Sequence, residues 1–401
     1  MAATLTDPAP SRIPHLRALD GLRGIAVLLV MWYHVWEMTW QRADVKIGSH
    51  VFNFNVFPET GSAGVDLFYF ISGFCLFFPY ARSLFDGDRA QTWAMFAYRR
   101  IIKIVPSYYL AIFLMIVLGL THFSSTQDAI AQIASHLTFT QNVWFDTWGG
   151  IDGVMWSLAT EVQFYVFFPL ICWCALRRPL LTFGVLVAAG DLYRLAVWQH
   201  FDALHELDRL PGAIDLFAAG MFTAYAYRFL ATQTPRLAAR RGLWFCVALV
   251  GLVASYALLH YEFARRFDPT WGTTWKSGFR FFFDFTLVPL TLGSLFAFTW
   301  WQRVLGNRVL LFLSLISYNL YLWHQPIARW IEDRKLLAYT TPDPKSDPTW
   351  QWMFTIVSTV ASIGVAWAIS AWFEQPILRR KPFLRAAAPR PLAAGTSPTV
   401  P

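Results

Sequence analysis

The sequence is short of charge, short of cysteine, and short of polar stretches long enough to build a soluble domain. Only 14% of its 401 residues are Asp, Glu, Lys or Arg, against roughly 25% in soluble domains. That deficit excludes an ordinary cytosolic enzyme, and it excludes reading the net charge of +8 as a nucleic-acid-binding surface. The four cysteines, Cys75, Cys172, Cys174 and Cys246, all fall in or beside apolar segments. They read as small apolar side chains, with no disulfide framework and no metal site expected. No secretory cleavage pattern follows the first apolar run and more such runs come after it, so that run is expected to stay as an anchor. An internal repeat is also missing, which counts against the paired halves of many transporters.

What is abundant is apolar surface: 56% of residues are hydrophobic and 18% aromatic. Ten apolar segments stand out, near 20–40, 62–81, 101–120, 153–176, 180–198, 211–230, 243–260, 281–301, 309–330 and 352–373. They predict an all-α polytopic membrane protein of about ten transmembrane helices with no fused soluble domain. The membrane domain is expected over 19–381, between disordered cytoplasmic tails at 1–18 and 382–401 that are rich in Pro, Ala and Thr. An even number of spans puts both termini on one side. If that side is cytoplasmic, 20 of the 33 Lys and Arg lie in inner segments and 11 in outer loops. The positive-inside rule therefore predicts a multi-pass membrane protein with both termini cytoplasmic. Two outer loops run against the tally, with Arg265, Arg266, Lys276 and Arg280 in one and Arg334, Lys335 and Lys345 in the other. They are either statistical scatter or places where an anionic acceptor or lipid binds.

The first segment carries two residues that are costly in hydrocarbon, Arg23 and His34. Eleven residues at about 100° each return to the same helix face, so both project one way, about 16 Å apart along the axis. Counting rise from the segment ends puts His34, Glu161 of the fourth segment and His324 of the ninth at one predicted depth, outward of the midplane. A histidine beside a carboxylate is the minimal kit for general-base catalysis. At the predicted inner end, Arg99, Arg100 and Lys103 open the third span. Alone they read as a cytoplasmic anchor; beside Arg23 they make a cradle for phosphates. Asp66 and Ser72 of the second span either line a cavity or hydrogen-bond a neighbour, and Asp191 with Arg194 and Arg280 with Asp284 read as local ion pairs. The outer aromatics Trp144, Trp148, Trp271 and Trp275 read as an interfacial belt, or as sugar-stacking platforms.

These motifs, taken in order, resemble the acyltransferase 3 family of integral-membrane O-acyltransferases over roughly residues 13–380. The resemblance rests on Arg23 and His34 with ten residues between them, and on the run Gly64-Val65-Asp66-Leu67-Phe68-Tyr69-Phe70-Ile71-Ser72-Gly73-Phe74. It rests equally on Arg99-Arg100-Ile101-Ile102-Lys103-Ile104-Val105-Pro106, on Trp156-Ser157-Leu158 with Glu161 and Tyr165, and on Ser317-Tyr318 with Tyr321-Leu322 and His324-Gln325-Pro326. Lys103 stands where the family often has Arg, which keeps the charge and loses the planar fork. The resemblance implies transfer of an acyl group, commonly acetyl, from cytoplasmic acyl-coenzyme A as co-substrate to a hydroxyl of a carbohydrate or glycosylated acceptor. Some members also carry a fused esterase-like domain, which is not expected here.

Joined to the residue reading, this makes Arg23, Arg99, Arg100 and Lys103 the donor-binding set. His34 is the expected base or acyl-carrying nucleophile, Glu161 the group that orients it, and Asp66, Ser72, Tyr165 and His324 the supporting cavity. No bound cofactor or metal is expected, and the partners are the acyl donor, the acceptor and the bilayer. Rival readings are a transporter of a polar or glycosylated small molecule using the same polar groups as its path, and a membrane scaffold.

Overall fold

The computed structural model describes residues 16–88, 90–200 and 203–379. The tails expected at 1–18 and 382–401 lie outside the described residues, except that Arg17 and Ala18 already belong to the first helix. Arg12, Arg89, Arg380, Lys381, Arg385 and Arg390 of the charge tally fall outside as well.

Among the described residues, ten long helices occupy the ten apolar segments. They are α1 (Arg17–Thr39), α2 (Ala63–Asp86), α3 (Trp93–Val117), α4 (Met155–Arg177) and α5 (Pro179–Val197), then α6 (Leu210–Gln233), α7 (Arg241–Arg265), α8 (Trp271–Phe296), α9 (Arg308–Asp333) and α10 (Pro348–Arg379). Backbone polar groups have no water to bond in hydrocarbon, so apolar runs of this length satisfy them internally as helices. Among the described residues, eight of the ten are long and apolar enough to cross a membrane. A ninth, α9, qualifies if joined to the short helix Thr299–Leu305, which meets it at a 47° bend. The expectation of ten spans is thus met in part. α6 falls short on composition, since Asp215, Arg228 and its tyrosines lower its mean hydropathy; it packs against α2, α5 and α8 with Asp215 buried.

Side-chain caps set several helix starts. Thr92 accepts from the Met95 amide ahead of α3, so that helix begins eight residues before the expected apolar segment. Asn307 and Asp347 cap α9 and α10 in the same way. Outside the helices, an antiparallel hairpin pairs β1 (Asp44–Ile47) with β2 (His50–Asn53), a small exception to the all-α expectation. A second helix-like element, Thr126–Leu137, lies between α3 and α4.

Close packing fixes how the helices sit against one another. α2 and α6 touch backbone to backbone: a Cβ on Gly73 would strike the Phe217 carbonyl, and one on Gly220 would strike that of Phe70. The start of α2 does not meet the end of α1. Gly61 lies against Leu29 and Tyr33, and a Cβ on Gly64 would sit 2.5 Å from the Ala26 carbonyl oxygen. α2 therefore begins beside the middle of α1, an offset that decides which side chains meet in the site.

Candidate active site

Near the start of α1 the helices enclose a cavity of about 120 Å³, lined by residues of α1, α2, α3, α4 and α9. Its cations are Arg23, Arg100 and Lys103, and its polar wall includes Ser72, Ser157, Glu161, Tyr165 and Ser317. Arg23 reaches it because the first turn of α1 faces α2, where Nη2 donates to Cys75 Sγ at 3.5 Å while Nη1 lies 3.9 Å from Asp20. Arg100 sits 5.7 Å over the Tyr165 ring, with its Nε buried and unpartnered. Lys103 forms an ion pair with Glu374 and lies 5.5 Å over the Tyr318 ring. A π-helical turn at Ser370–Glu374 brings Glu374 there, and Asn319 donates to its other oxygen at 2.6 Å. Arg99, the fourth expected donor contact, is one position round the helix from Arg100. It faces outward, bonding Gln91 at 3.0 Å, and does not line the cavity.

Glu161 accepts from Ser72 Oγ and Tyr165 Oη, each at 2.5 Å, so both lone-pair edges of one carboxylate oxygen carry short charge-assisted bonds. This corrects the expected pairing with His34. Ser72 is one turn from Cys75, the partner of Arg23, so Glu161 belongs to the Arg23 end of the site and not to His34. The depth count assumed that all spans begin level; the offset of α2 against α1 removes that assumption. Among the described residues Glu161 makes no hydrogen bond to His34.

His34 meets His324 instead. The two rings lie 5.0 Å apart, with His324 Nε2 at 3.0 Å from His34 Nδ1. His324 Nδ1 is 3.0 Å from the Leu320 carbonyl, and His34 Nδ1 is 2.9 Å from the Val30 carbonyl. Carbonyls only accept, so each Nδ1 carries a proton when the rings are neutral. His324 Nε2 is then a lone pair facing the Nδ1–H of His34, and the proton-free nitrogen of the pair that remains is His34 Nε2. This tautomer assignment follows from the bonding network. His324 is fully buried whereas His34 is half-buried. Neither histidine lines the cavity: its end nearest to them is closed by Tyr321, whose Oη pairs with Ser157 Oγ at 2.6 Å and whose ring lies 5.9 Å from that of His324.

Other polar groups expected at the site belong elsewhere. Asp66 lies outside the cavity and accepts from Arg280 Nη2 at 2.6 Å, so Arg280 pairs across helices and not with Asp284 four residues on. Arg194 is ion-paired with Asp191 as expected, and also with Asp215 of α6 at 2.7 Å. The basic loop residues are mostly spoken for: Arg266 by Glu59, Lys276 by Asp208, and Arg265 by stacking 3.6 Å over Tyr261. Trp271 and Trp275 are buried, Trp148 stacks on Trp156, and Trp144 remains exposed. The residues missed in the sequence were Glu374, Asn319 and Cys75. Glu374 had a signal, an acidic residue closing the last apolar run.

The chain is 23% identical over 335 residues to the Staphylococcus aureus (strain COL) protein named "Putative O-acetyltransferase SACOL0978", covering 78% of this chain and 50% of that one. It is 22% identical over 339 residues to the peptidoglycan O-acetyltransferase OatA of Listeria monocytogenes serovar 1/2a, covering 78% and 49%. The chain thus spans about half the length of these curated relatives. No solved structure matches it. Residues 16–371, which hold every side chain of the cavity and both histidines, match the acyltransferase 3 family, described as an acyltransferase domain, and the chain belongs to that family.

Proposed function

We propose that this protein is a membrane O-acyltransferase that moves an acyl group, acetyl by analogy with its relatives, from acyl-coenzyme A to a hydroxyl of a carbohydrate acceptor. The observation that carries the reading is the base: the half-buried His34 has its Nε2 left without a proton by two carbonyl anchors and His324. In this reading the Arg23 end of the bundle is cytoplasmic, with both termini, and the His34 end faces outward. The donor enters beside Arg100, Lys103 and Arg23, whose guanidinium and ammonium groups suit phosphate oxygens. A cavity of about 120 Å³ is well below the ~300–1,000 Å³ of a site for a whole drug-sized ligand. It takes the thioester end of the pantetheine arm and leaves the nucleotide at its mouth. The Ser157–Tyr321 contact parts to let the thioester approach the histidine pair. His34 Nε2 then removes the hydroxyl proton as the acceptor oxygen attacks the thioester carbonyl; the C–S bond breaks and the coenzyme leaves as its thiol. Glu161, held by Ser72 and Tyr165, balances the cavity cations and does not touch the reacting atoms.

The test uses purified protein in nanodiscs with acetyl-labelled acetyl-coenzyme A and solubilised cell-wall glycan. Label is expected to appear on the glycan with release of free thiol, and His34→Ala to abolish both. Movement of unmodified glycan across vesicles with the donor untouched would instead establish a transporter.

A further inference from the structure

Beyond the histidine pair, at the start of α4, three polar side chains converge without satisfying one another. Gln325 follows His324 on α9 and is 5% exposed, with its Oε1 buried and unpartnered. Asp152, just before α4, is 3% exposed, and its Oδ2 is also buried without a partner. Arg329, one turn beyond Gln325, is exposed and makes no hydrogen bond or ion pair among the described residues. The three meet over Gly153: a Cβ there would lie 2.7 Å from Gln325 Oε1 and 3.5 Å from Arg329 Nη2. Arg329 is within electrostatic reach of Asp152, His34 and His324.

A buried acceptor left unsatisfied is costly. Two of them flank Gly153, and no donor of the described residues reaches either. Burial pushes the Asp152 carboxyl up to about 7, which lets it accept or donate near neutral pH. A free guanidinium adds further donors, and the exposed Glu37, one turn from His34 on α1, adds an acceptor. Carboxylates on both sides of Arg329 disfavour an anion. Mixed donors and acceptors in a small space match a polyhydroxylated molecule, whose hydroxyls supply and receive hydrogen bonds in equal measure.

We propose that Asp152, Gln325 and Arg329 form the acceptor subsite, which binds an uncharged polyhydroxylated carbohydrate and holds one of its hydroxyls toward His34. The inference rests on the acyl-transfer reading and adds the residues that select the acceptor. Gln325 and Asp152 accept from neighbouring hydroxyls of one sugar ring, and Arg329 donates to the next.

The experiment measures binding and transfer separately, on the full chain in nanodiscs, with neutral N-acetylglucosamine oligosaccharides as probe. Binding is read by tryptophan fluorescence; transfer is read with labelled acetyl-coenzyme A. Gln325→Leu and Arg329→Ala are expected to weaken oligosaccharide binding and raise its apparent KM at least tenfold, with the apparent KM for acetyl-coenzyme A unchanged. Arg329 is exposed, so its variant keeps the test interpretable if Gln325→Leu folds poorly. His34→Ala is expected to stop transfer and keep binding. Wild-type protein that binds no oligosaccharide, or variants that bind as tightly as wild type, would overturn the subsite. Wild-type protein that binds the probe and never takes acetyl from acetyl-coenzyme A would overturn the acyl-transfer reading instead.

Discussion

Replacing His324 by Ala separates a positioning residue from a base. In the wild type the Nδ1–H of His34 has two acceptors, the Val30 carbonyl at 2.9 Å and His324 Nε2 at 3.0 Å. His324→Ala removes one and leaves the other, so the tautomer that frees Nε2 survives with a looser ring. One neutral hydrogen bond contributes about 0.5–1.5 kcal/mol, which at 1.4 kcal/mol per decade is a fall in kcat of about 2- to 13-fold. His34→Ala removes the base itself and is expected to cost roughly 10²- to 10⁴-fold. Because His324 acts through His34, the double variant is expected to be no slower than His34→Ala alone. The assay is initial-rate transfer of labelled acetyl from acetyl-coenzyme A, with expression and thermal unfolding checked for each variant. Equal losses for the two single variants would refute the assignment, since His324 would then share the chemistry. So would a double variant slower than His34→Ala.

Three further outcomes follow from the geometry. Asp152 titrates near 7 in the folded protein against 3.8 when free, so the fold prefers its protonated form; its stabilising contribution is full below about pH 4 and is lost as pH rises through 7, by about 4 kcal/mol at most. Thermal unfolding in detergent is expected to show Asp152→Asn more stable than wild type at pH 8 and nearly equal at pH 4, and equal stabilities at pH 8 would contradict the burial argument. Glu374→Gln leaves Lys103 without its ion-pair partner while keeping an acceptor for Asn319, so the apparent KM for acetyl-coenzyme A is expected to fall about threefold to tenfold, a tenfold change being 1.4 kcal/mol; a rise would place Lys103 outside the donor site. Gly220→Ala puts a methyl group into the Phe70 carbonyl and is expected to destabilise by roughly 1–3 kcal/mol through overpacking, seen as a lower unfolding temperature with the site chemistry otherwise intact.

The helices were legible because hydrocarbon imposes one rule on every span: apolar length with internal hydrogen bonds. Ten segments became ten helices, and the two largest boundary errors, at the starts of α8 and α3, came from turns whose aromatic and basic residues hide them from an apolar window. Axial registry between helices was not legible. Nothing local in α4 says that Glu161 meets Ser72, because that depends on Gly61 and Gly64 letting α2 begin beside the middle of α1. His34 and His324 were expected at one depth and lie in contact, since both are on helices that run side by side, Gly24 against Leu310. Glu374 was missed for the opposite reason: its partner Lys103 is 271 residues away and a π-helical turn aims it inward. Asp66 looked like a cavity residue and serves as a counter-ion to Arg280, a role that only the neighbouring helix reveals.

The central claim is that the Arg23 cavity and the His34 pair are two ends of one acyl-transfer path. It is tested most directly in sealed proteoliposomes holding protein of one orientation, with labelled acetyl-coenzyme A supplied only on the Arg23 side and glycan only on the His34 side. Acetylated glycan is expected on the His34 side, together with free coenzyme A thiol on the Arg23 side, and neither with His34→Ala. Transfer that occurs only when donor and acceptor share a side, or that persists in His34→Ala, would contradict it.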